Sequence, residues 1–146
     1  LDIVGVNYYP DNQWYTGGLT IPLGHHAYRP LREILAEAHA RYGRPLLIAE
    51  TGAEGTAKAS WFHYVCGEVR AAQRADVPVE GVCLYPILDY PGWENDRTCS
   101  VGLFSLPERD GRRTSDLDLA DELERQREEF AACAAPGRLR TARASA

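Results

Sequence analysis

The sequence of 146 residues has no methionine, no apolar run long enough to cross a bilayer and no excess of basic residues. Spanning a membrane takes about 20 consecutive apolar residues, and the start of the chain also lacks the basic flank of a signal peptide. With 16 basic and 21 acidic residues, the net charge of −5 produces no field that attracts nucleic acid or anionic membranes. We therefore expect a soluble, cytoplasmic protein with no nucleic-acid or membrane partner.

The missing methionine is informative together with the first residues of the chain. Leu1 stands where an initiator would be, and it already belongs to a strand-like run. A chain seldom begins inside a strand without a polar lead-in. We therefore expect the sequence to be a fragment of a longer protein, with removal of an initiator methionine as the alternative.

Motifs for metals and nucleotides are also missing. The four cysteines form no C-x-x-C pair, and the four histidines form no H-E-x-x-H or H-x-H arrangement. Neither of the glycine-rich nucleotide motifs, G-x-G-x-x-G and G-x-x-x-x-G-K-[ST], is present. We expect free, buried thiols and neither a metal ion nor another cofactor.

The chain instead alternates strand-like apolar runs with amphipathic helical segments. The predicted strands are 2–9, 46–50 and 81–88. The predicted helices are one with Pro30 in its first turn and a stop at Gly43, one over about 57–75, and a third on which 119, 123, 126, 130 and 133 share a face. This order is typical of a parallel α/β fold, either a doubly wound sheet or a (β/α)8 barrel. Without a nucleotide motif the barrel is favoured, and residues 1–134 would form its C-terminal portion, about the last three βα units. Residues 135–146 are predicted to be a disordered tail.

Polar side chains lie at the ends of the first two predicted strands. Strand alternation places Asn7 and Tyr9 on one side of the first strand. In the second strand Leu46, Ile48 and Glu50 share a side, and Glu50 lies at the C-terminal end, where barrel enzymes carry their active groups. An ionised group there is costly unless it is paired or solvated. Glu50 is therefore the candidate reactive residue, and a glutamate that is either salt-bridged or simply at the surface is the alternative.

Three segments, LDIVGVNYYP, PLLIAETG and GVCLYPILDYPGW, follow each other along residues 1 to 134 and are separated by helices. They resemble the sixth, seventh and eighth strands of family-one glycoside hydrolases, the β-glucosidase type, or of a close relative in the same clan of retaining barrel hydrolases. In that family these strands end in Asn-Tyr-Tyr, in Thr-Glu-Asn-Gly and in a Trp-rich motif. The segment from Val101 to Phe104 also resembles the Phe-Gly-Leu segment that follows the family's eighth strand.

The resemblance implies a retaining glycosidase that acts on β-linked sugars, with Glu50 as the catalytic nucleophile and Tyr9 hydrogen-bonded to it. Asn7 would help to position Glu50 or the substrate. Glu54 is the rival nucleophile, but it follows Gly52 in a loop, where geometry is less well fixed than at a strand end.

The second catalytic group is missing from the resembling segments. In the family the acid/base belongs to an Asn-Glu pair on the fourth strand, so the chain alone is expected to be inactive and to need the remaining N-terminal barrel portion as a partner. Two alternatives stay open: a non-catalytic carbohydrate-binding or structural half-barrel, and a doubly wound domain of another function.

Aromatic and polar residues after the strands are the candidates for sugar binding, because sugars have apolar faces ringed by hydroxyls. The candidate substrate-binding residues are Asn7, Trp14, Tyr85, Asp89, Trp93 and Glu94, with Tyr90, Asn95 and Arg97 as further possibilities. The chain departs from the family pattern at Tyr85, which replaces a tryptophan, at Thr51, which replaces an asparagine, and at Gly92, which replaces a sugar-binding glutamate. Glu94 would take over that role from two residues away, and the preferred sugar stays open.

Overall fold

The computed structural model describes residues 1–92 and 95–134. Three parallel strands form one sheet in the order of the chain: β1 (Val4–Asn7), β2 (Leu46–Thr51) and β3 (Val79–Leu84). The helices are α1 (Leu31–Tyr42) between β1 and β2, α2 (Lys58–Arg74) between β2 and β3, and α3 (Leu117–Ala134) after β3. This arrangement confirms the predicted parallel α/β class. The predicted tail, 135–146, lies outside the described residues.

The helices pack against one face of the sheet and form the hydrophobic core there. Leu31 and Leu35 of α1 are fully buried together with Leu46 and Ile48 of β2. Leu119 of α3 belongs to a second buried cluster with α2 and β3. Apolar residues at helical spacing on one stripe of each helix account for this packing. The opposite face of the sheet, which these three helices do not cover, is called the open face below.

The helix ends follow from local chemistry. The α1 helix begins after Pro30 and stops at Gly43, which adopts a left-handed conformation with φ of 60° and donates its N–H to the carbonyl of His39. Before α3, Oδ1 of Asp116 accepts a hydrogen bond of 3.0 Å from the N–H of Leu119. None of the helices in the described ranges is long and apolar enough to cross a membrane.

Two predictions about β3 are corrected. The predicted strand 81–88 begins earlier and ends at Leu84, because Pro86 has no N–H to continue a ladder. The loop predicted after it contains a short antiparallel pair, β4 (Tyr90–Pro91) and β5 (Thr98–Cys99).

The expectation of buried thiols holds for Cys66 and Cys99 but is wrong for Cys83 and Cys133, which are exposed.

Candidate active site

A β-bulge in β2 determines which way Glu50 faces. The two strands pair in register up to Ile48, and Asn7 then pairs with Glu50, so that Ala49 is an extra residue in β2. Beyond this bulge Thr51 is fully buried toward the helices, and Glu50, its neighbour, turns to the open face. The prediction that Glu50 shares a side with Ile48 is therefore wrong, because one extra residue reverses strand alternation.

Glu50 and Tyr9 meet on the open face at the ends of adjacent strands. The Tyr9 hydroxyl donates a hydrogen bond of 2.9 Å to Oε2 of Glu50. Burial, followed by this hydrogen bond, raises the pKa of Tyr9 above its usual value of 10.0, so the phenol stays protonated to a higher pH than an ordinary tyrosine. A carboxylate held by a phenol at a strand end can act as a nucleophile or as a base.

Buried neutral groups join the two strand ends directly behind this pair. The N–H of Tyr8 donates to the carbonyl of Glu50 at 2.9 Å, and the Thr51 hydroxyl donates to the carbonyl of Tyr8 at 2.7 Å. The Trp61 indole N–H from α2 donates to the Thr51 hydroxyl at 2.9 Å. Sequence reasoning missed Thr51 and Trp61 as site residues, although Thr51 follows Glu50 directly in the chain.

Two further candidates are brought to the pair. Asn7 lies opposite Glu50 in the ladder, with its side chain exposed. The N–H of Tyr85 donates to the Thr51 carbonyl at 2.9 Å, and its ring is 46% exposed. Tyr85 also contributes to the raised pKa of Tyr9, which places its hydroxyl in the electrostatic neighbourhood of the pair. The backbone of Tyr85 is therefore joined directly to the residue that follows Glu50.

The other predicted sugar-binding residues have different positions. Trp14 is 62% exposed and lines a cavity of about 470 Å³ with Ile34 and Ala38 of α1, on the helix side and not beside Glu50. Asp89 accepts a hydrogen bond of 2.7 Å from the N–H of Gly102 and so holds its own loop together. The last two predicted residues, Trp93 and Glu94, lie outside the described residues.

Glu54, the rival nucleophile, is engaged elsewhere. Its carboxylate forms an ion pair with Arg97, and both side chains are exposed. The hydrogen bond from Arg97 holds the pKa of Glu54 below its usual range. This carboxylate is therefore committed to a cation in the loop, whereas Glu50 is supported by a neutral donor.

Metal ligands do not gather at this site. Across residues 1–92 and 95–134, no three side chains of His, Cys, Asp or Glu come together as ligands of one ion would. The chemistry that the described residues offer at the strand ends is that of a carboxylate, a phenol and an amide.

Solved structures of glycosidases resemble the chain in fold. The β-glycosidase from the hyperthermophile Thermosphaera aggregans has a TM-score of 0.65 and 19% identity, and the match covers 87% of this chain and 32% of that protein. A family 1 β-glucosidase from Thermotoga maritima has a TM-score of 0.67 and 16% identity, and the match covers 88% of this chain and 35% of that protein. A β-glycosidase from Pyrococcus horikoshii has a TM-score of 0.64 and 20% identity, and the match covers 86% of this chain and 34% of that protein.

The chain thus spans about a third of the length of these structures, with 32% to 35% coverage. The sequence itself matches no protein-family profile and no curated protein. At this level of identity the similarity concerns the fold. The chain has an α/β fold that corresponds to part of the (β/α)8 barrel of these structures.

Proposed function

We propose that the chain carries the nucleophile of a retaining glycosidase that acts on β-linked sugars. The observation that carries this proposal is the Tyr9 hydroxyl bonded to the Glu50 carboxylate, where two parallel strands end together. Barrel enzymes place their reactive groups at this end of their strands. The glycosidase-like fold adds a second, independent reason to assign sugar chemistry to this carboxylate.

In the proposed reaction the Glu50 carboxylate attacks the anomeric carbon of the sugar. The bond from that carbon to the leaving oxygen breaks as an acid/base residue transfers its proton to the oxygen. The resulting glycosyl ester on Glu50 is then attacked by water, which gives its proton to the same acid/base, and the free carboxylate returns. Before the attack the Tyr9 hydroxyl keeps the Glu50 carboxylate aimed at the anomeric carbon.

The second carboxyl group must lie about 5 to 5.5 Å from Glu50, and we propose that the remaining barrel portion supplies it. In the described parts of the chain β1 and β3 each pair with a single neighbouring strand. A groove of about 1520 Å³ also runs between β3, α2 and α3, and half-buried apolar residues such as Leu103 and Phe130 line it. Unpaired strand edges and exposed apolar surface both favour contact with further polypeptide.

The test uses Glu50→Ala in the protein produced from its complete reading frame. Hydrolysis of an aryl β-glycoside should fall by about 10⁴-fold or more, as for other nucleophile deletions. Added azide should fit the space left by the carboxylate and restore release of the aryl group. The product should be the α-glycosyl azide, which chemical analysis distinguishes from the β-anomer.

The matched control is Glu54→Ala, four residues along, where an exposed carboxylate bonded to Arg97 is removed. This variant should keep a rate within a few-fold of the unchanged protein. Turnover that survives in Glu50→Ala would remove Glu50 as the nucleophile. An unchanged protein without hydrolysis, but with measurable sugar binding, would favour the non-catalytic half-barrel instead.

A further inference from the structure

Thr51 is a polar residue in a fully buried position. Its hydroxyl donates to the Tyr8 carbonyl at 2.7 Å and accepts the Trp61 indole N–H at 2.9 Å. Both hydrogen-bonding capacities of the hydroxyl group are therefore used, which a buried polar group needs. A valine of the same shape would fill the space but would leave the indole N–H and the carbonyl without this partner.

The two residues joined by this hydroxyl are the neighbours of the candidate catalytic pair. Thr51 follows Glu50, and Tyr8 precedes Tyr9. Because successive side chains of a strand point to opposite faces, fixing Thr51 and Tyr8 on the buried face fixes Glu50 and Tyr9 on the open face. The Thr51 hydroxyl thus links the two residues that are adjacent in the chain to Glu50 and Tyr9.

Trp61 anchors this connection to α2. Its ring stacks on the Tyr8 ring with centroids 5.5 Å apart and an angle of 21° between the planes. Its N–H reaches Thr51 at the same time, so one rigid side chain contacts the ends of both strands. Such a buried, fully bonded arrangement restricts side chains to one rotamer and can hold a reactive geometry to within about 0.5 Å.

We infer that Thr51, bonded to the indole N–H of Trp61, is a positioning residue that sets the distance between the Glu50 carboxylate and the Tyr9 hydroxyl. The inference deepens the proposed function and rests on it. It assigns to a buried threonine a role that acts through its two neighbours, without contact with the substrate.

The main test is Thr51→Val in the protein from the complete reading frame. Removal of the hydroxyl frees the strand ends to shift, and a shift of about 1 Å lowers turnover by about 100-fold. We expect kcat to fall by this factor with KM nearly unchanged, because sugar-contacting groups are untouched. Thr51→Ser, which keeps the hydroxyl, should retain most of kcat, and Trp61→Phe, which keeps the stacked ring, should lose an intermediate amount.

The control separates positioning from general destabilisation. Val65 is fully buried on α2, one turn beyond Trp61, and it packs in the same core. Val65→Ala should lower thermal stability and leave kcat unchanged. An equal loss of kcat in Val65→Ala and Thr51→Val would overturn the inference, since any weakening of the core would then have the same effect.

A second readout follows the pair itself in the same protein. Labelled tyrosine carbons report the ionisation of Tyr9 by NMR, with Tyr9→Phe to assign the signal. If Thr51→Val separates the phenol from Glu50, the pKa of Tyr9 should move part of the way back toward 10.0, because burial, the larger cause of its rise, remains. Thr51→Ser should leave the pKa of Tyr9 raised. An unchanged titration in a folded Thr51→Val protein would contradict the inference.

The two proposals fail in different ways. If Glu50→Ala abolishes turnover and Thr51→Val changes neither kcat nor the Tyr9 titration, the nucleophile assignment stands and the positioning role is wrong. If Glu50→Ala keeps turnover, the proposed function is wrong, and the Tyr9 titration still decides whether Thr51 sets the geometry of the pair.

Discussion

Different kinds of interaction hold the strand ends that carry the candidate site and the segment after β3, which connects β3 to α3. At the strand ends Tyr8, Thr51 and Trp61 are neutral, buried and joined by hydrogen bonds. In the later segment the main connection is ionic: Nζ of Lys58, which is buried, lies 2.7 Å from a carboxylate oxygen of Asp116 and donates to the Gly102 carbonyl at 3.0 Å.

This difference separates a support that is independent of pH from one that depends on it. Burial by itself would raise the pKa of Asp116, but hydrogen bonds from Lys58 and from the N–H of Leu119 outweigh it and hold the pKa below its usual 3.8. Neutral hydrogen bonds keep their strength across the acid range. The backbone that carries the candidate pair should therefore be more robust to acid than the loops that surround it.

The largest expected effect comes from Gly52, where the strand end touches the backbone that follows β3. A Cβ at this position would lie 2.3 Å from the carbonyl oxygen of Tyr85, and a backbone oxygen cannot rotate away. Gly52→Ala should lower the free energy of unfolding by about 3 kcal/mol. Urea denaturation measures this free energy. A decrease of less than about 1 kcal/mol would mean that the end of β2 and the backbone at Tyr85 can move apart at little energetic cost.

The same substitution at Gly67 provides the control with the opposite sign. Gly67 lies in the middle of α2, and a Cβ there would meet nothing within 4 Å. Because alanine favours the helix over glycine, Gly67→Ala should raise the free energy of unfolding by up to about 1 kcal/mol. Opposite signs in the two variants would show that close approach, and not the loss of a glycine, causes the effect at Gly52.

The helices could be predicted closely from the sequence, whereas the strand ends could not. The helix predicted to have Pro30 in its first turn and to stop at Gly43 is observed as Leu31–Tyr42, because apolar spacing and a terminal glycine are local signals. A strand ends where its pairing with another segment ends, which is not a local property. The prediction for β3 also overlooked a local signal, because it extended beyond Leu84, past the proline that stops the ladder.

In the candidate site, too, the orientation of one side chain could be predicted from the sequence and that of another could not. Alternation in β1 places Tyr9 correctly, since β1 shows no extra residue up to its end. The side that Glu50 faces could not be predicted, because the bulge at Ala49 arises from the register between two strands that are far apart in the chain. The position of Trp14 depends on the course of a long loop, for which residue types give no direction.

The next effect in size tests the ionic side of the comparison. Lys58→Met removes the cation and should lower the free energy of unfolding at pH 7 by about 2 kcal/mol, since Asp116 is only partly solvated. A carboxyl group with a lowered pKa contributes stability above 3.8, and this contribution is lost as the pH falls through its value in the folded state. The difference between the two proteins should therefore shrink below about pH 4.

Arg112→Met is the matched control for this variant. Arg112 forms an ion pair of 3.4 Å with Asp110, and both side chains are largely exposed. An exposed pair contributes little, so the free energy of unfolding should change by less than about 0.5 kcal/mol at any pH. If Lys58→Met behaves like Arg112→Met, the buried pair does not hold the segment after β3, and the contrast between the two regions is lost.

The smallest effect concerns the strand ends at alkaline pH. Tyr9→Phe should cost about 1 kcal/mol at neutral pH, because it removes one hydrogen bond to a carboxylate. The pKa of Tyr9 is raised above 10.0 in the folded protein, so its contribution to stability is complete below pH 10 and declines as the pH rises further. The stability of the unchanged protein should accordingly fall more steeply above pH 10 than that of Tyr9→Phe, until the order of the two reverses. Tyr42→Phe, on a side chain that is 55% exposed, should change the free energy of unfolding by less than about 0.5 kcal/mol at neutral pH. Parallel curves for the unchanged protein and Tyr9→Phe would show that solvent reaches the phenol and that Glu50 is held by its backbone alone.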